Sequence, residues 1–182
     1  MRHWLTLANL FTLGRLLLVA PVLWLIAHHR GLAALALFAA ASATDLIDGY
    51  FARRFGSVTP AGAFLDPIAD KLLLSGVYLA LALAGSVPWW LVAVIFGRDL
   101  LILAAVGVAL MATQLRAFPP SVWGKASTFC QIVTAVTFLG RDAFKWPLLA
   151  ALSSTFIWPT AAMTVWSGIH YGWRGAHRLR MD

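Results

Sequence analysis

The sequence contains no glutamate, only three lysines and a single cysteine, Cys130. One cysteine excludes an internal disulfide framework and a site built from several thiolates. Charged residues make up 12% of the 182 residues and hydrophobic residues 61%, whereas a soluble domain has about 25% charged residues. The composition therefore excludes an ordinary soluble domain and indicates an integral membrane protein.

The few charges that are present are mostly positive, with a formal net charge of +7. The basic residues are scattered between apolar segments and form no continuous basic face, so we expect no nucleic-acid partner. In a membrane protein, such an excess orients the chain and attracts anionic lipid headgroups.

The apolar segments predict an all-α, polytopic fold with six transmembrane helices in one domain, residues 1–182. Breaks containing Gly, Pro or charge separate the segments, and each segment approaches the roughly 20 residues that a span requires. The predicted spans are residues 10–27, 31–51, 63–84, 88–112, 122–139 and 148–171.

The distribution of Lys and Arg predicts the orientation of this fold. Three basic residues fall on one side: Arg30, Arg141 and Lys145. Seven fall on the other: Arg2, Arg53, Arg54, Arg116, Arg174, Arg178 and Arg180. Because basic loops stay in the cytoplasm, both termini are predicted to be cytoplasmic, in a protein of the cell (inner) membrane.

Four of the seven acidic residues lie within one stretch of the chain, at Asp45, Asp48, Asp66 and Asp70. Spacings of three and four residues place each pair on one face of a helix. A short connector between the second and third spans allows these helices to run antiparallel. The four carboxylates are therefore predicted to converge just inside the cytoplasmic surface.

Such a carboxylate cluster must be neutralised, and two alternatives follow. The acids share protons or pair with Arg53, Arg54 and Lys71 in a structural hairpin, or they bind divalent metal. All-oxygen ligation suits Mg²⁺ or Mn²⁺, and two bridged metals suit displacement at a phosphate. A transporter or channel is a third alternative, but it favours clustered acids at mid-span and internal repeats. Here the clustered acids lie at the cytoplasmic ends of two successive spans, and no repeat is found in the sequence.

The acidic stretch resembles the signature of the CDP-alcohol phosphotransferase (CDP-alcohol phosphatidyltransferase) family, D-x2-D-G-x2-A-R followed by G-x3-D-x3-D. The matching residues are Asp45, Asp48, Gly49, Ala52, Arg53, Gly62, Asp66 and Asp70. The segments NLFTLGRLLLVAPV, GRDLLILAA and WGKASTFCQ resemble the branch that makes phosphatidylglycerophosphate and cardiolipin.

The resemblance implies a phosphatidyltransferase that takes CDP-diacylglycerol as donor, releases CMP and acts as a homodimer. It assigns two metal ions to Asp45, Asp48, Asp66 and Asp70, with Asp70 also the general base. It assigns binding of the CDP-lipid to Asn9, Gly49, Ala52, Arg53 and Gly62.

Three cations inside predicted spans, Arg15, Arg98 and Lys125, indicate an acceptor that carries a phosphate, because intramembrane charges are costly and usually functional. Alternatively, Arg98 pairs with Asp99 or a motif carboxylate, and the other two extend to the interface. The segment from Gly124 to Thr128 resembles enzymes that use glycerol-3-phosphate, our expected acceptor. The Arg98–Asp99 pair resembles cardiolipin synthases, which leaves phosphatidylglycerol as the alternative.

Overall fold

The computed structural model describes residues 7–55, 60–112 and 122–178, and within them the side chains of residues 14, 16–44, 71–104 and 122–173. These residues form helices and no strands. The helices are α1 (Leu7–Ala27), α2 (Gly31–Phe55), α3 (Pro60–Leu83), α4 (Trp89–Ala112), α5 (Val122–Phe144) and α6 (Pro147–Arg178).

The six helices confirm the all-α prediction, although several helices extend beyond the predicted spans. Helix α2 continues to Phe55, and α3 begins at Pro60, so the acidic stretch lies largely within helices. Hydropathy shows only where the apolar segment ends. A helix can continue beyond that point, because Asp and Arg are compatible with helical backbone hydrogen bonds. Proline at the first position of α3 is favourable because that residue needs no intrahelical N–H donor.

Consecutive helices run in alternating directions. A small cavity of about 60 Å³ is lined by the end of α1, the start of α2, and the ends of α3 and α5, through Ile26, Gly31, Leu81 and Asp142. The connector residue Lys145 before α6 lines it too. The opposite termini of these helices therefore lie towards the other end of the bundle, which we call the motif end.

A buried apolar core holds the bundle together, and its largest fully buried side chains include Tyr78, Phe38, Phe138, Leu81 and Leu91. Many large apolar side chains instead face outward, as lipid-facing residues do. Within the described side chains, one helical segment, Pro147–Trp173, is both long and apolar enough to cross a membrane, and shorter apolar helices span Leu16–Ala27, Gly31–Thr44 and Lys71–Leu83.

A ladder of polar side chains joins α5 to α6. The hydroxyls of Thr134 and Thr160 lie 2.7 Å apart, and the Gln131 amide donates to Thr164 Oγ1 at 3.1 Å. Ser127 Oγ also lies 3.3 Å from Thr164 Oγ1. These groups are buried, and hydrogen bonds between helices stabilise packing where neither water nor a large hydrophobic gain is available.

Helix α2 approaches the end of α5 very closely at Gly31. A Cβ atom at this position would lie 2.6 Å from the backbone nitrogen of Ala143 and 2.6 Å from the carbonyl carbon of Asp142. Neither backbone atom can move aside as a flexible side chain would, so the contact requires glycine.

The Gly31→Ala variant is therefore expected to lower the free energy of unfolding by about 1–3 kcal/mol, the usual cost of overpacking. Thermal unfolding in detergent micelles measures this change. The control is Gly97→Ala, since a Cβ at the exposed Gly97 meets nothing within 4 Å and should leave stability unchanged or slightly raised. Equal midpoints for Gly31→Ala and the unmodified chain would contradict the close approach.

Candidate active site

The four motif aspartates lie on two helices that share one end of the bundle. Asp45 and Asp48 belong to α2, and Asp66 and Asp70 belong to α3. Gly31 and Leu83 lie at the same end of the bundle. At a rise of 1.5 Å per residue from that end, Asp45 and Asp70 lie about 20 Å along their helices, and Asp48 and Asp66 lie about 26 Å along them. The pairs are thus matched in height along the two helices.

The side chains of these aspartates lie outside those that the structure describes, as do several other predicted site residues. Those residues are Asn9 and Arg15 in α1, Gly49, Ala52 and Arg53 in α2, and Gly62 in α3. Among the side chains that are described, no group of three or more His, Cys, Asp or Glu residues is placed to hold a metal ion.

Immediately after the motif, the chain forms a partly buried charge cluster that links α3 to α4. Lys71 Nζ donates to Asp99 Oδ1 at 3.1 Å, and Arg98 Nη1 donates to the same oxygen at 2.7 Å. The side chains of Arg98 and Asp99 are only 7% and 16% exposed. One carboxylate therefore offsets two cations, and a positive charge remains.

Arg98 also contacts α6. Its Nε and Nη2 atoms donate to Ser167 Oγ at 3.3 and 2.9 Å. Ser167 is fully buried. The guanidinium is thus held between the carboxylate on its own helix and a hydroxyl on α6.

The charge cluster borders an open cleft of about 400 Å³. In the described part of the chain, α4 and α5 each pack on α3 or α6 rather than on each other, and this separation creates the cleft. Its cationic lining residues are Lys71, Arg98 and Lys125. Its apolar lining residues are Ile102, Phe129 and Ile132, and Gly124, Thr128 and Tyr171 complete the lining.

The structure brings together two of the three predicted acceptor cations, Arg98 and Lys125, in this cleft. Lys125 is exposed and forms no ion pair with another described residue. Among the described side chains, three cations and the one carboxylate of Asp99 give a formal charge of +2, which favours an anionic ligand. The pair of Arg98 with Asp99, the alternative considered for this arginine, is also present.

Sequence reasoning missed Lys71 as a lining residue of this cleft and Ser167 as a partner of Arg98. From the sequence, Lys71 is only one of the cations that could neutralise the motif carboxylates, and the structure shows it paired with Asp99, 28 residues away. Ser167 follows Thr160 and Thr164 at helical spacing. That stripe of hydroxyl residues in an apolar segment is the signal that identifies the inward face of α6.

Comparison with known proteins places this site in a family context. The sequence model of the family described as CDP-alcohol phosphatidyltransferase matches residues 5–166. A probable phosphatidylglycerophosphate synthase of Mycobacterium tuberculosis is 39% identical over 140 residues, 73% of this chain and 65% of that protein. The chain thus spans about two thirds of the length of this relative.

Two further relatives carry different names. The CDP-diacylglycerol–glycerol-3-phosphate 3-phosphatidyltransferase of Bacillus subtilis is 37% identical over 147 residues, 77% of this chain and 72% of that protein. A CMP-forming cardiolipin synthase of Streptomyces coelicolor is 31% identical over 181 residues, 94% of this chain and 80% of that protein. The similarity thus extends to both acceptor types.

The shared carboxylate predicts unequal effects of two matched substitutions. Asp99→Asn removes the negative charge beside the buried Arg98 and should lower the free energy of unfolding by about 1.5–3 kcal/mol, as for hydrogen bonds to charged groups. Asp142→Asn alters the corresponding pair of Arg141 and Asp142, in which the arginine is 27% and the aspartate 26% exposed. It should lower the free energy of unfolding by less than about 1 kcal/mol. Chemical unfolding in micelles compares them, and an equal or reversed order would refute the assignment.

Proposed function

The chain belongs to the CDP-alcohol phosphatidyltransferase family, and from this premise we propose that it transfers a phosphatidyl group from CDP-diacylglycerol to glycerol-3-phosphate. The products are phosphatidylglycerophosphate and CMP. The observation that carries the proposal is the open cationic cleft beside the motif, because its Arg98 and Lys125 suit an acceptor that carries its own phosphate.

Asp45, Asp48, Asp66 and Asp70 are the proposed metal ligands. Their matched heights on α2 and α3 support this role, and four carboxylates supply the oxygen donors that Mg²⁺ or Mn²⁺ prefers. Two such ions, when bound, neutralise the pyrophosphate of the donor and stabilise the departing CMP. Gly49, Ala52 and Gly62 leave room for the nucleotide, and Arg53 and Asn9 are proposed to contact the CDP-lipid.

Asp70 is the proposed general base. It removes the proton from the acceptor hydroxyl as that oxygen forms a bond to the lipid-side phosphorus of the donor. The bond between this phosphorus and the CMP oxygen breaks, and CMP departs with the electron pair. Asp70 directly precedes Lys71, which lines the cleft. The proposed base therefore lies on the helix that contributes Lys71 to the cleft, where the acceptor is proposed to bind.

The acceptor phosphate is proposed to lie between Arg98 and Lys125, with Arg15 of α1 as a third contact. An arginine binds phosphate through paired N–H donors, whereas a lysine supplies a compact charge. Lys71 contributes to the positive potential although it is paired with Asp99. The combination of one buried and one exposed cation suits a ligand that enters from the aqueous surface.

All six helices are proposed to cross the membrane as a single domain. They contain 21 to 32 residues, enough to span a bilayer, and they alternate in direction. The positive-inside rule then assigns the motif end and both termini to the cytoplasm, in a bacterial inner membrane. A homodimer is proposed from the family resemblance.

Cardiolipin synthesis from phosphatidylglycerol is the second candidate. The cleft has apolar walls at Ile102, Phe129 and Ile132, and Phe129 is 67% exposed. Such a lining accommodates the acyl chains of a lipid acceptor as well as a small phosphate. The cardiolipin synthase of Streptomyces coelicolor matches this chain almost throughout, which supports the same candidate.

An acceptor assay tests the proposed function. Purified full-length protein in micelles receives CDP-diacylglycerol and Mg²⁺ or Mn²⁺, with glycerol-3-phosphate, phosphatidylglycerol, inositol or serine offered separately. We expect CMP and phosphatidylglycerophosphate with glycerol-3-phosphate, and no CMP after chelation of the metal. Cardiolipin as product would select the second candidate, and folded protein that releases no CMP with any acceptor would refute both.

The Asp70→Asn variant should lose a factor of about 10²–10⁴ or more in kcat, because general base catalysis contributes that much and a metal ligand is weakened as well. Its unfolding midpoint should change little in comparison. Asp142→Asn is the matched control, since Asp142 lies at the other end of the bundle. Normal turnover by Asp70→Asn would contradict the mechanism.

The Lys125→Gln variant tests the acceptor site. Loss of one charge-assisted contact should raise KM for glycerol-3-phosphate about tenfold, while KM for CDP-diacylglycerol changes little. Lys145→Gln is the control, because Lys145 lines the cavity at the opposite end. If the two variants have the same acceptor KM, Lys125 does not bind the acceptor.

A further inference from the structure

We propose that Ser167 is a positioning residue that holds the Arg98 guanidinium in the orientation required for the acceptor phosphate. This inference rests on the proposed function and names a further residue for it. Ser167 lies on α6, one residue beyond the segment matched by the family model, residues 5–166.

The first step is the hydrogen bonding of the guanidinium. A guanidinium has five N–H donors and no acceptor. Nε and Nη2 of Arg98 each donate one hydrogen to Ser167 Oγ, and Nη1 donates one to Asp99 Oδ1. Among the described residues, three of the five donors have an acceptor, and the two others are one on each terminal nitrogen. The same residue lines the cleft, and in the proposed arrangement these two donors bind the phosphate there.

The second step is the geometry of the Ser167 contact. A single oxygen that accepts from both Nε and Nη2 engages one edge of the planar group. Asp99 engages the opposite terminal nitrogen, so the two partners together determine both the position and the plane of the guanidinium. With Asp99 alone, the group would retain one contact and the freedom to rotate about it, and long side chains lose considerable entropy when they are ordered.

The third step concerns the aliphatic part of Arg98. Gly168 follows Ser167, and a Cβ at Gly168 would lie 3.5 Å from Cγ of Arg98 and 3.9 Å from its Cβ. These are ordinary van der Waals distances, so the aliphatic stem of Arg98 packs against the α6 backbone at Gly168. The Ser167–Gly168 pair thus provides both a hydroxyl for the head of Arg98 and a packing surface for its stem.

The fourth step is the rigidity of the helix that carries Ser167. Thr164 accepts from Gln131, and Thr160 contacts Thr134, so the turns of α6 preceding Ser167 are tied to α5. A hydroxyl on a restrained helix can restrain the arginine in turn. Preorganisation of a charged group reduces the ordering cost when its ligand binds.

The expected consequence is a selective loss of acceptor affinity. Ser167→Ala should raise the half-saturating concentration of glycerol-3-phosphate about five- to tenfold. This concentration is obtained by following the thermal unfolding midpoint in micelles as glycerol-3-phosphate is added. KM for the phosphate-bearing acceptor should rise by a similar factor, with KM for CDP-diacylglycerol unchanged. Loss of these buried hydrogen bonds lowers the midpoint of the unliganded protein in either case, but a purely structural role would change KM for both substrates.

Three variants make the test specific. Ser153→Ala is the matched control, because Ser153 is a buried serine on α6 whose hydroxyl donates to the Ala150 carbonyl, and acceptor binding should not change. Ser167→Thr retains the hydroxyl and should restore most of the affinity. In an Arg98→Lys background, Ser167→Ala should have little further effect, because the contact depends on the guanidinium.

The outcomes separate this inference from the proposed function. Stabilisation by glycerol-3-phosphate that depends on Ser167, without CMP release, would support the positioning role and refute the proposed reaction. CMP release with equal acceptor KM for Ser167→Ala and Ser153→Ala would support the proposed reaction and refute the positioning role. Two results would overturn the inference. In the first, glycerol-3-phosphate does not stabilise the protein and Ser167→Ala leaves the acceptor KM unchanged. In the second, Ser167→Ala has the same effect in the Arg98→Lys background as in the unmodified chain.

Discussion

One carboxylate oxygen, Oδ1 of Asp99, accepts from both Lys71 and Arg98, and the arrangement of the cleft depends on it. Without this anion, two cations would lie close together in a largely buried environment, where like charges repel strongly. Through Arg98 the interaction continues to Ser167 on α6, so three helices meet at one charge. Because Lys71 directly follows Asp70 in α3, the same contact fixes the helix that carries the proposed base relative to the cleft.

The two interpretations of Arg98 considered from the sequence are compatible in the structure. A pair with Asp99 was an alternative to phosphate binding, yet that pair uses only Nη1 and leaves donors available at the cleft. Partial neutralisation has a further effect, because it lowers the cost of retaining a charge in an apolar region while preserving positive potential for a ligand. The carboxylate and the proposed phosphate therefore have complementary roles.

The sequence predicts the helices and the cationic residues of the cleft well, because both leave local signals. Six apolar segments correspond to six helices, and a charge within such a segment is rare enough to identify Arg98 and Lys125. The partners of these charges leave no comparable signal. Lys71 and Asp99 are separated by 28 residues, and the hydroxyl stripe that places Ser167 on the inward face of α6 does not identify its partner. Tertiary packing alone determines which serine contacts Arg98. Hydropathy cannot locate the helix ends at Phe55 and Phe144, because polar residues continue the helix beyond the apolar segment.

The hydroxyl ladder between α5 and α6 has a consequence for how such a chain is made. Helix α5 carries Lys125, Gln131, Arg141 and Asp142 along 23 residues, a composition that enters lipid poorly as an isolated segment. Helix α6 begins only three residues after α5 ends, at Pro147. Its threonines satisfy Gln131 and Thr134 directly. In a chain that spans the membrane, α5 and α6 are thus suited to leave the insertion machinery together as a hairpin, with α6 acting as an intramolecular chaperone for the more polar helix.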